Sequence, residues 1–308
     1  MPTVFNHEVV VIGAPSGAGA NHRGCEAGPA AWRAAGLLPA LQAQGWRVRD
    51  AGDLKVPPGS EISNGPGPYR HLAEVTAWAR AVYAAVAQVL AQGAMPLLLG
   101  GDHSLAIGSL SAVAQHCRLQ GRRLRVLWFD AHADCNTADT SPSGNLHGMP
   151  VACLRGLGPR VLTHLGGSSP ALAADALQLL GVRSLDPGEA ALVQQLEVQR
   201  VDQAALQVQG MDAILAQVLQ DLGPQTHLHL SLDVDVLDPA LAPGVSTPVP
   251  DGLTLTQALR CMDRMAASGR LASLDLVEFN PAADVAQRTA RCGVALLTRL
   301  FDRSGEQA

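Results

Sequence analysis

The chain has 308 residues, of which 47% are hydrophobic and only 3% aromatic, so a sizeable core must be built mainly from Ala, Leu and Val. Charged residues make up 16% and the net charge is −5, without a long basic run, which argues against binding to nucleic acid or to a membrane surface. No apolar run approaches the roughly 20 residues of a membrane span, and the first residues do not resemble a signal peptide. Six scattered cysteines without a CxxC pair favour a reducing cytoplasm over a disulfide framework.

Short apolar runs alternate with longer helical patterns along the chain. Eight runs are predicted strands: HEVVVIG, WRVRDAG, MPLLLGG, LRVLWFD, LQLLGVR, EVQRVD, THLHLSLDVD and LASLDLVE. Ala- and Leu-rich segments between them, such as EAGPAAWRAAGLLPALQAQG and VTAWARAVYAAVAQVLAQG, predict helices. This alternation predicts a three-layer α/β fold, in which helices cover both faces of a mostly parallel eight-stranded sheet. We expect a single domain over residues 1–308, with a surface loop at the Pro-, Gly- and Ser-rich stretch 56–69.

Acids and histidines follow four of the predicted strands at the carboxyl end, where open parallel sheets bind their ligands. In chain order they are Asp102 and His103, then Asp130, His132 and Asp134, then Asp233, Asp235 and Asp238, and finally Glu278. Helix and turn capping explains one such cluster as well as function does, but four at the same type of end favour a functional site. Asp102 and Asp238 are interpreted as groups that fix the backbone, and Cys135 as a packing residue.

Four carboxylates and two imidazoles among these residues suit a pair of metal ions better than one tetrahedral zinc. Without a thiolate, the set favours two ions bridged by carboxylates and Mn(II) as the metal, with Fe, Co and Ni left open. Side chains two apart on a strand share a side, yet a straight strand would separate Asp130 and Asp134 by about 13 Å. The chain must therefore curl directly after Asp130, which two intervening alanines permit. Asp233 and Asp235 form a second same-side pair.

Five segments resemble, in this order, those of the arginases in the ureohydrolase superfamily: GGDHSLAIG, DAHADCNT, SGNLHGMP, SLDVDVLDP and VEFNP. The opening GAPSGAGANHRGCEAGPAAWRAAGL is also similar to their N-terminus, so the likeness covers nearly the whole chain. The resemblance implies hydrolysis of the guanidinium group of L-arginine to L-ornithine and urea. It further implies attack by a hydroxide held between two Mn²⁺ ions per subunit, and a homo-oligomer that is a trimer or a hexamer.

The same resemblance implies a role for individual side chains. One metal ion would be held by His103, Asp130, Asp134 and Asp233, and the other by Asp130, His132, Asp233 and Asp235. His147 matches a proton-shuttle histidine, and Glu278 matches the glutamate that holds the guanidinium group. The remaining matches surround the rest of the substrate: Asn136 and Ser143 at the α-carboxylate, Asp186 and the nearby Glu189 at the α-amino group, and Thr247 beside the site.

Several alternatives remain open at this point. An agmatinase or another guanidino hydrolase would take a substrate without a carboxylate, whereas the neutral donors Asn136 and Ser143 favour one that carries it. A dinuclear metallophosphatase would need additional Arg or Lys near the metals, and these motifs contain none. A non-enzymatic metal-binding protein would have no use for His147 and Glu278. A dinucleotide site at GAPSGAGANHRG would need Gly where His22 stands.

Overall fold

The computed structural model describes residues 8–20, 23–56, 67–220 and 222–302, so residues 57–66 of the predicted surface loop, together with His22, lie outside the described residues. The strands are β1 Glu8–Ala14, β2 Arg47–Asp53, β3 Met95–Gly100, β4 Arg123–Phe129, β5 Leu177–Val182, β6 Gln199–Asp202, β7 Thr226–Asp233 and β8 Leu271–Val277. The α-helices are α1 Gly28–Ala34, α2 Leu37–Ala43, α3 Leu72–Ala91, α4 Ala106–Leu119, α5 Pro150–Leu154, α6 Arg160–Thr163, α7 Pro187–Gln195, α8 Gln203–Gln209, α9 Met211–Gln220, α10 Leu255–Ser268 and α11 Arg288–Leu300.

All eight strands pair in parallel within one sheet, in the order β2-β1-β3-β8-β7-β4-β5-β6. The predicted eight-stranded α/β fold is confirmed, and the sheet is parallel throughout rather than mostly. Every residue of the inner strands β3 and β7 is buried, as expected for strands that are covered on both faces. Among the described helices, none is both long and apolar enough to cross a membrane.

Alternate residues of several strands enter two separate apolar cores, one on each face of the sheet. In β1, for example, Val9 and Val11 join a core that includes Trp32 of α1 and Leu296 of α11. Val10 and Ile12 of the same strand join the other core, which α3 and α4 cover. This period of two places a strand's side chains alternately on the two faces and leaves its carboxyl end free to carry polar residues.

One predicted helical segment, EAGPAAWRAAGLLPALQAQG, forms two helices rather than one. Helix α1 ends and α2 begins around Gly36, whose φ of +85° is left-handed. A right-handed helix cannot continue through such a residue, and glycine adopts the conformation without steric cost. The break allows α2 to change direction before β2.

The four inner strands bring the polar segments together at one edge of the sheet. Strands β3, β8, β7 and β4 are consecutive neighbours, and the polar segments follow directly after each of them. Because the strands are parallel, their carboxyl ends lie on the same edge, where ligands of open parallel sheets bind. The topology therefore concentrates residues that are far apart in sequence into one site.

Candidate metal centre and substrate cleft

The segment after β3 is a tight turn that directs His103 into the molecule. Gly101 lies so close to the loop after β1 that a Cβ atom there would sit 1.8 Å from the carbonyl oxygen of Ser16. Asp102 then caps the one-turn 3-10 helix His103–Leu105, and its carboxylate accepts hydrogen bonds from the backbone N–H groups of Ser104 and Gly19, both at 2.9 Å. The expected backbone-fixing role of Asp102 agrees with these contacts.

The imidazole of His103 is 1% exposed and lies among three carboxylates. Its Nδ1 is 3.1 Å from Oδ2 of Asp130, 3.1 Å from Oδ2 of Asp134 and 3.3 Å from Oδ2 of Asp233. Among the described residues no hydrogen bond satisfies this buried nitrogen, although three carboxylate oxygens surround it. Buried polar atoms rarely lack a partner, and a nitrogen that converges with carboxylate oxygens has the donor chemistry that a divalent cation requires.

A second group of ligand atoms lies beside the first and shares Asp130 with it. Nδ1 of His132 is 3.0 Å from Oδ2 of Asp235 and 3.4 Å from Oδ1 of Asp130. The ligand atoms of His103, Asp130 and Asp134 all lie within 4.8 Å of one another, and so do those of Asp130, His132 and Asp235. Because Asp130 turns a different oxygen towards each histidine, the cluster is compatible with a binuclear metal site.

The two acid-rich segments converge through turns rather than through strand geometry. Strand β4 ends at Phe129, and the expected curl follows, with Asp134 in the left-handed region at φ +51°. Strand β7 ends at Asp233, and a one-turn 3-10 helix folds Asp235 back so that its N–H donates to Oδ1 of Asp233 at 2.7 Å. Asp233 and Asp235 thus do meet, but strand alternation is not the cause, because Asp235 lies beyond the strand.

Burial and neighbouring charges raise the pKa values of several side chains in the cluster, so that these side chains keep their protons to a higher pH when no metal is bound. Burial raises the pKa of Asp134, and the neighbouring charge of Asp130 raises it further; burial and Asp235 act in the same way on Asp233. Burial alone would lower the pKa of the imidazoles, but Asp235 and Asp130 outweigh it and raise the pKa of His132 to about 12. A divalent cation would take the place of these protons, since metal ligands must be deprotonated.

Glu278 and His147 form a pair next to His103. Glu278 follows β8 directly and is 2% exposed. Its φ of +62° is left-handed, and the hydrogen bond that its backbone N–H donates to the carbonyl of Gly101 at 2.8 Å helps to hold this conformation. Its Oε1 accepts from the backbone N–H of His103 at 2.9 Å and lies 3.2 Å from Nδ1 of His147. Although burial opposes it, the charge of Glu278 raises the pKa of His147 to about 9, well above the ordinary histidine value.

A cleft opens onto this cluster. The five residues predicted around the substrate all line it, together with members of the cluster: Asn136, Ser143, Asp186, Glu189, Thr247, His132, Asp134, His147, Asp233 and Glu278. The amide of Asn136 donates to Oδ2 of Asp186 at 3.0 Å, and the hydroxyl of Thr247 donates to Oδ2 of Asp235 at 3.3 Å. The hydroxyl of Ser143 accepts from the N–H of Asn145 at 3.2 Å, at the exposed rim.

Glu189 faces the backbone more than the cleft. Its carboxylate accepts from the N–H of Cys135 at 2.8 Å and from the N–H of Asp186 at 3.3 Å, the latter as part of a capping box at the start of α7. Burial raises the pKa of Glu189 to about 7. The contacts indicate that Glu189 joins the segment after β4 to the segment after β5. Cys135 itself is fully buried in an apolar core, as predicted.

Several residues of the site were not singled out from the sequence. Asn145 and Ser184 line the cleft, and the guanidinium of Arg183 donates to the carbonyls of Asp235 at 2.8 Å and of Val249 at 2.8 Å. Arg183 thereby joins the Asp235 turn to the loop that carries Thr247. An arginine at the carboxyl end of the predicted strand LQLLGVR, in GVRSLDP, is the signal that could have identified it.

The remaining strand histidines lie away from the cluster. His227 and His229 are buried within β7, and each has a ring nitrogen 2.8 Å from the hydroxyl of Ser273. Nε2 of His229 also lies 3.3 Å from Oδ2 of Asp275. They occupy the earlier part of the strand, as expected from their distance in sequence to Asp233.

The fold and the cluster define a class: parallel α/β proteins with a His/Asp site at the carboxyl edge of the sheet that is compatible with two metal ions. Comparison with known proteins specifies the family within this class. A protein-family model with the description "Arginase family" matches residues 7–302 of the chain. The chain therefore belongs to the arginase family.

Individual relatives span nearly the full length of the chain. It is 40% identical over 295 residues to the arginase of Bacillus caldovelox, covering 95% of this chain and 97% of that protein. The native Bacillus caldovelox structure superposes with a TM-score of 0.90 at 39% identity, covering 96% of this chain and 99% of that one. Proclavaminate amidino hydrolase from Streptomyces clavuligerus is more distant, with a TM-score of 0.72 and 25% identity over 98% of this chain and 93% of its own.

Adding Mn²⁺ to the chelator-treated protein is expected to raise its thermal unfolding midpoint, and more at pH 8 than at pH 6. The raised pKa values of Asp134, Asp233 and His132 mean that the folded metal-free chain binds more protons than the unfolded chain in this range. Its stability therefore falls as the pH rises, while a cation that needs deprotonated ligands binds more tightly. Circular dichroism melts at both pH values measure the effect.

The matched control for this experiment is Asp130→Ala, which removes the carboxylate common to both ligand groups and should abolish the gain. A midpoint that does not respond to Mn²⁺, or that rises more at pH 6 than at pH 8, contradicts the interpretation of the cluster as a cation site.

Proposed function

We propose that this chain is an arginase, which hydrolyses L-arginine with one water to L-ornithine and urea. The observation that carries the proposal is the position of Glu278 and His147 beside the shared His/Asp cluster, at the base of a cleft with Asn136 and Ser143 on its walls. Relatives named arginase at 36–40% identity over nearly the full length support it.

We propose two Mn²⁺ ions per subunit as the cofactor. His103, the four aspartates and His132 fit them by donor chemistry, with His103, Asp130, Asp134 and Asp233 around one ion and Asp130, His132, Asp233 and Asp235 around the other. Two imidazoles with several carboxylate oxygens and no thiolate favour manganese over softer metals. When bound, such ions would lower the pKa of water from 15.7 towards about 7 and so would supply hydroxide near neutral pH.

Glu278 would bind the guanidinium group of the substrate. A guanidinium carbon is a weak electrophile because its charge is spread over three nitrogens, so it must be held close to the nucleophile. The buried carboxylate of Glu278 can accept charge-assisted hydrogen bonds from its N–H groups. The left-handed backbone of this residue and its bonds to Gly101 and His103 fix where that carboxylate points.

His147 would give a proton to the departing amine of L-ornithine. A pKa of about 9 keeps its imidazole charged at neutral pH, so that the proton is in place before the C–N bond breaks. The arriving guanidinium would compete with His147 for Glu278, and this lowers the pKa of His147 towards the value at which it can release the proton.

The wall of the cleft would recognise the amino-acid end of the substrate. Asn136 and Ser143 are neutral donors suited to the α-carboxylate, and Asp186 suits the α-ammonium group. Glu189 would act through Asp186 and the backbone of Cys135, and Thr247 through Asp235, because these are the groups that they contact. We also propose that residues 1–308 form one catalytic domain.

We further propose a cytoplasmic homo-oligomer, a trimer or a hexamer. All six cysteines are buried and none is part of a disulfide, which supports a reducing compartment. The oligomeric state rests on the resemblance to the arginases.

A purified, Mn²⁺-loaded protein is expected to release urea from L-arginine with a kcat/KM at least about a hundredfold above that for agmatine, which lacks the carboxylate. A site built to bind a polar group loses far more transition-state binding free energy when the substrate lacks that group than an apolar pocket loses when an apolar group is missing. A side-by-side urea assay measures the ratio. Since proclavaminate amidino hydrolase shares the fold, a preference for agmatine or for another guanidino compound would replace the proposed substrate.

Replacing His147 by Ala is expected to leave two metal ions per chain and to lower kcat by about a hundredfold or more, the usual contribution of a positioned proton donor. Metal analysis and steady-state kinetics at neutral pH test this together. The control is His164→Ala, whose ring contacts the hydroxyl of Thr163 and does not line the cleft. A kcat equal to that of the parent would eliminate His147 as the proton donor.

A further inference from the structure

The two carboxylate oxygens of Asp130 are held in the same way, although by different partners. Oδ1 accepts from the backbone N–H of His132 at 2.6 Å and lies 3.4 Å from the Nδ1 atom of the same residue. Oδ2 accepts from the indole N–H of Trp128 at 2.9 Å and lies 3.1 Å from Nδ1 of His103. An ionised carboxylate oxygen accepts about two hydrogen bonds or metal bonds. Each oxygen therefore has one direction occupied by the protein and one directed to a histidine.

Trp128 also contacts His103 directly. The two rings stack with centroids 4.0 Å apart and an interplanar angle of 13°. A single side chain of β4 thus touches one candidate ligand that directly follows its own strand, through its N–H, and one that follows β3, through its ring face. Trp128 is fully buried, so both contacts are shielded from water and keep their full strength.

The edge of the His103 ring is held from the neighbouring strand β7. Nε2 of His103 lies 2.9 Å from the hydroxyl oxygen of Ser231, which is also fully buried. Ser231 is the direct register partner of Trp128 between β7 and β4, so the two residues form one platform beneath His103. With the ring hydrogen on Nε2 and donated to Ser231, the lone pair of Nδ1 points at the three carboxylates. A hydrogen bond of this kind selects the tautomer of a metal-binding histidine.

We propose that Trp128 is a positioning residue for the metal centre. Its indole N–H fixes Oδ2 of Asp130, and its ring fixes the imidazole of His103 by stacking. Ser231 sets the tautomer of His103. This inference rests on the metal centre proposed above. The platform acts on the ion beside His103. The ligand atoms on the other side, in His132 and Asp235, do not contact Trp128 or Ser231 through any hydrogen bond of the described residues.

The position of Trp128 explains how it reaches Asp130. It is the last but one residue of β4, and Asp130 follows directly after the strand, where its Oδ2 accepts the indole N–H at 2.9 Å. An indole N–H enclosed in an apolar core would be left without a partner, and here the carboxylate supplies one. A phenylalanine would keep the aromatic face but could not donate.

The test compares Mn²⁺ binding to chelator-treated protein in the parent, Trp128→Phe, Ser231→Ala and Trp46→Phe. Trp46 is the matched control, because its indole N–H also donates at 2.9 Å, to the carbonyl of Phe301, away from the site. Isothermal titration calorimetry with metal analysis gives the affinity and the number of ions. We expect two ions per chain for the parent and for Trp46→Phe. In Trp128→Phe and Ser231→Ala one ion should bind about tenfold or more weakly, and the other should be unchanged.

A loss of affinity that is confined to one ion distinguishes positioning from a general loosening of the core. Loosening would weaken the binding of both ions, or would lower the thermal unfolding midpoint without changing either affinity. Two ions bound by Trp128→Phe with the parent affinities overturn the proposal. If Trp128→Phe does not fold, Ser231→Ala, which removes one oxygen atom, decides: unaltered affinities overturn the platform, and weakening of one ion supports it. A parent protein that binds fewer than two Mn²⁺ ions instead refutes the metal centre itself, before any variant is compared.

Discussion

The structure depends on holding four mutually repelling aspartates together out of water. Each buried carboxylate raises the free energy of the folded chain unless positive charge or hydrogen-bond donors surround it. The chain supplies such donors from its own backbone: the N–H groups of Ala131, His132 and Asp235 each bond to an aspartate of the cluster. The indole N–H of Trp128, the hydroxyl of Thr247 and two imidazoles provide further partners. The donors orient the oxygens towards common points, which is the preorganisation that a metal site requires.

The parallel sheet makes this convergence possible. Four neighbouring strands end at the same edge, and each is followed by a turn or loop that carries polar side chains, so that ligands more than a hundred residues apart meet. The turns carry the unusual backbone: Asp134 and Glu278 both have positive φ, at 51° and 62°. Such conformations are rare for residues with a Cβ and cost free energy, which packing on both faces of the sheet must offset. The rigid sheet therefore supports strain at its edge, where the chemistry is proposed.

Inner strands such as β1 and β3 were predictable because continuous apolar runs indicate burial on both faces, whatever the neighbouring strand. The polar residues at their ends were equally visible, as local patterns. What could not be predicted depends on register between strands. Nothing in LRVLWFD indicates that Trp128 lies opposite Ser231 or stacks on His103, because these contacts join three strands. The high pKa of His147 likewise comes from Glu278, 131 residues away.

A crystal structure of the protein grown with an excess of Mn²⁺, with data collected for anomalous scattering at the manganese edge, tests the central claim most directly. The account predicts two anomalous peaks a few ångströms apart, enclosed by the six His and Asp side chains, with one oxygen of Asp130 directed to each. A single peak among these residues, or peaks elsewhere with the six side chains apart, would contradict it.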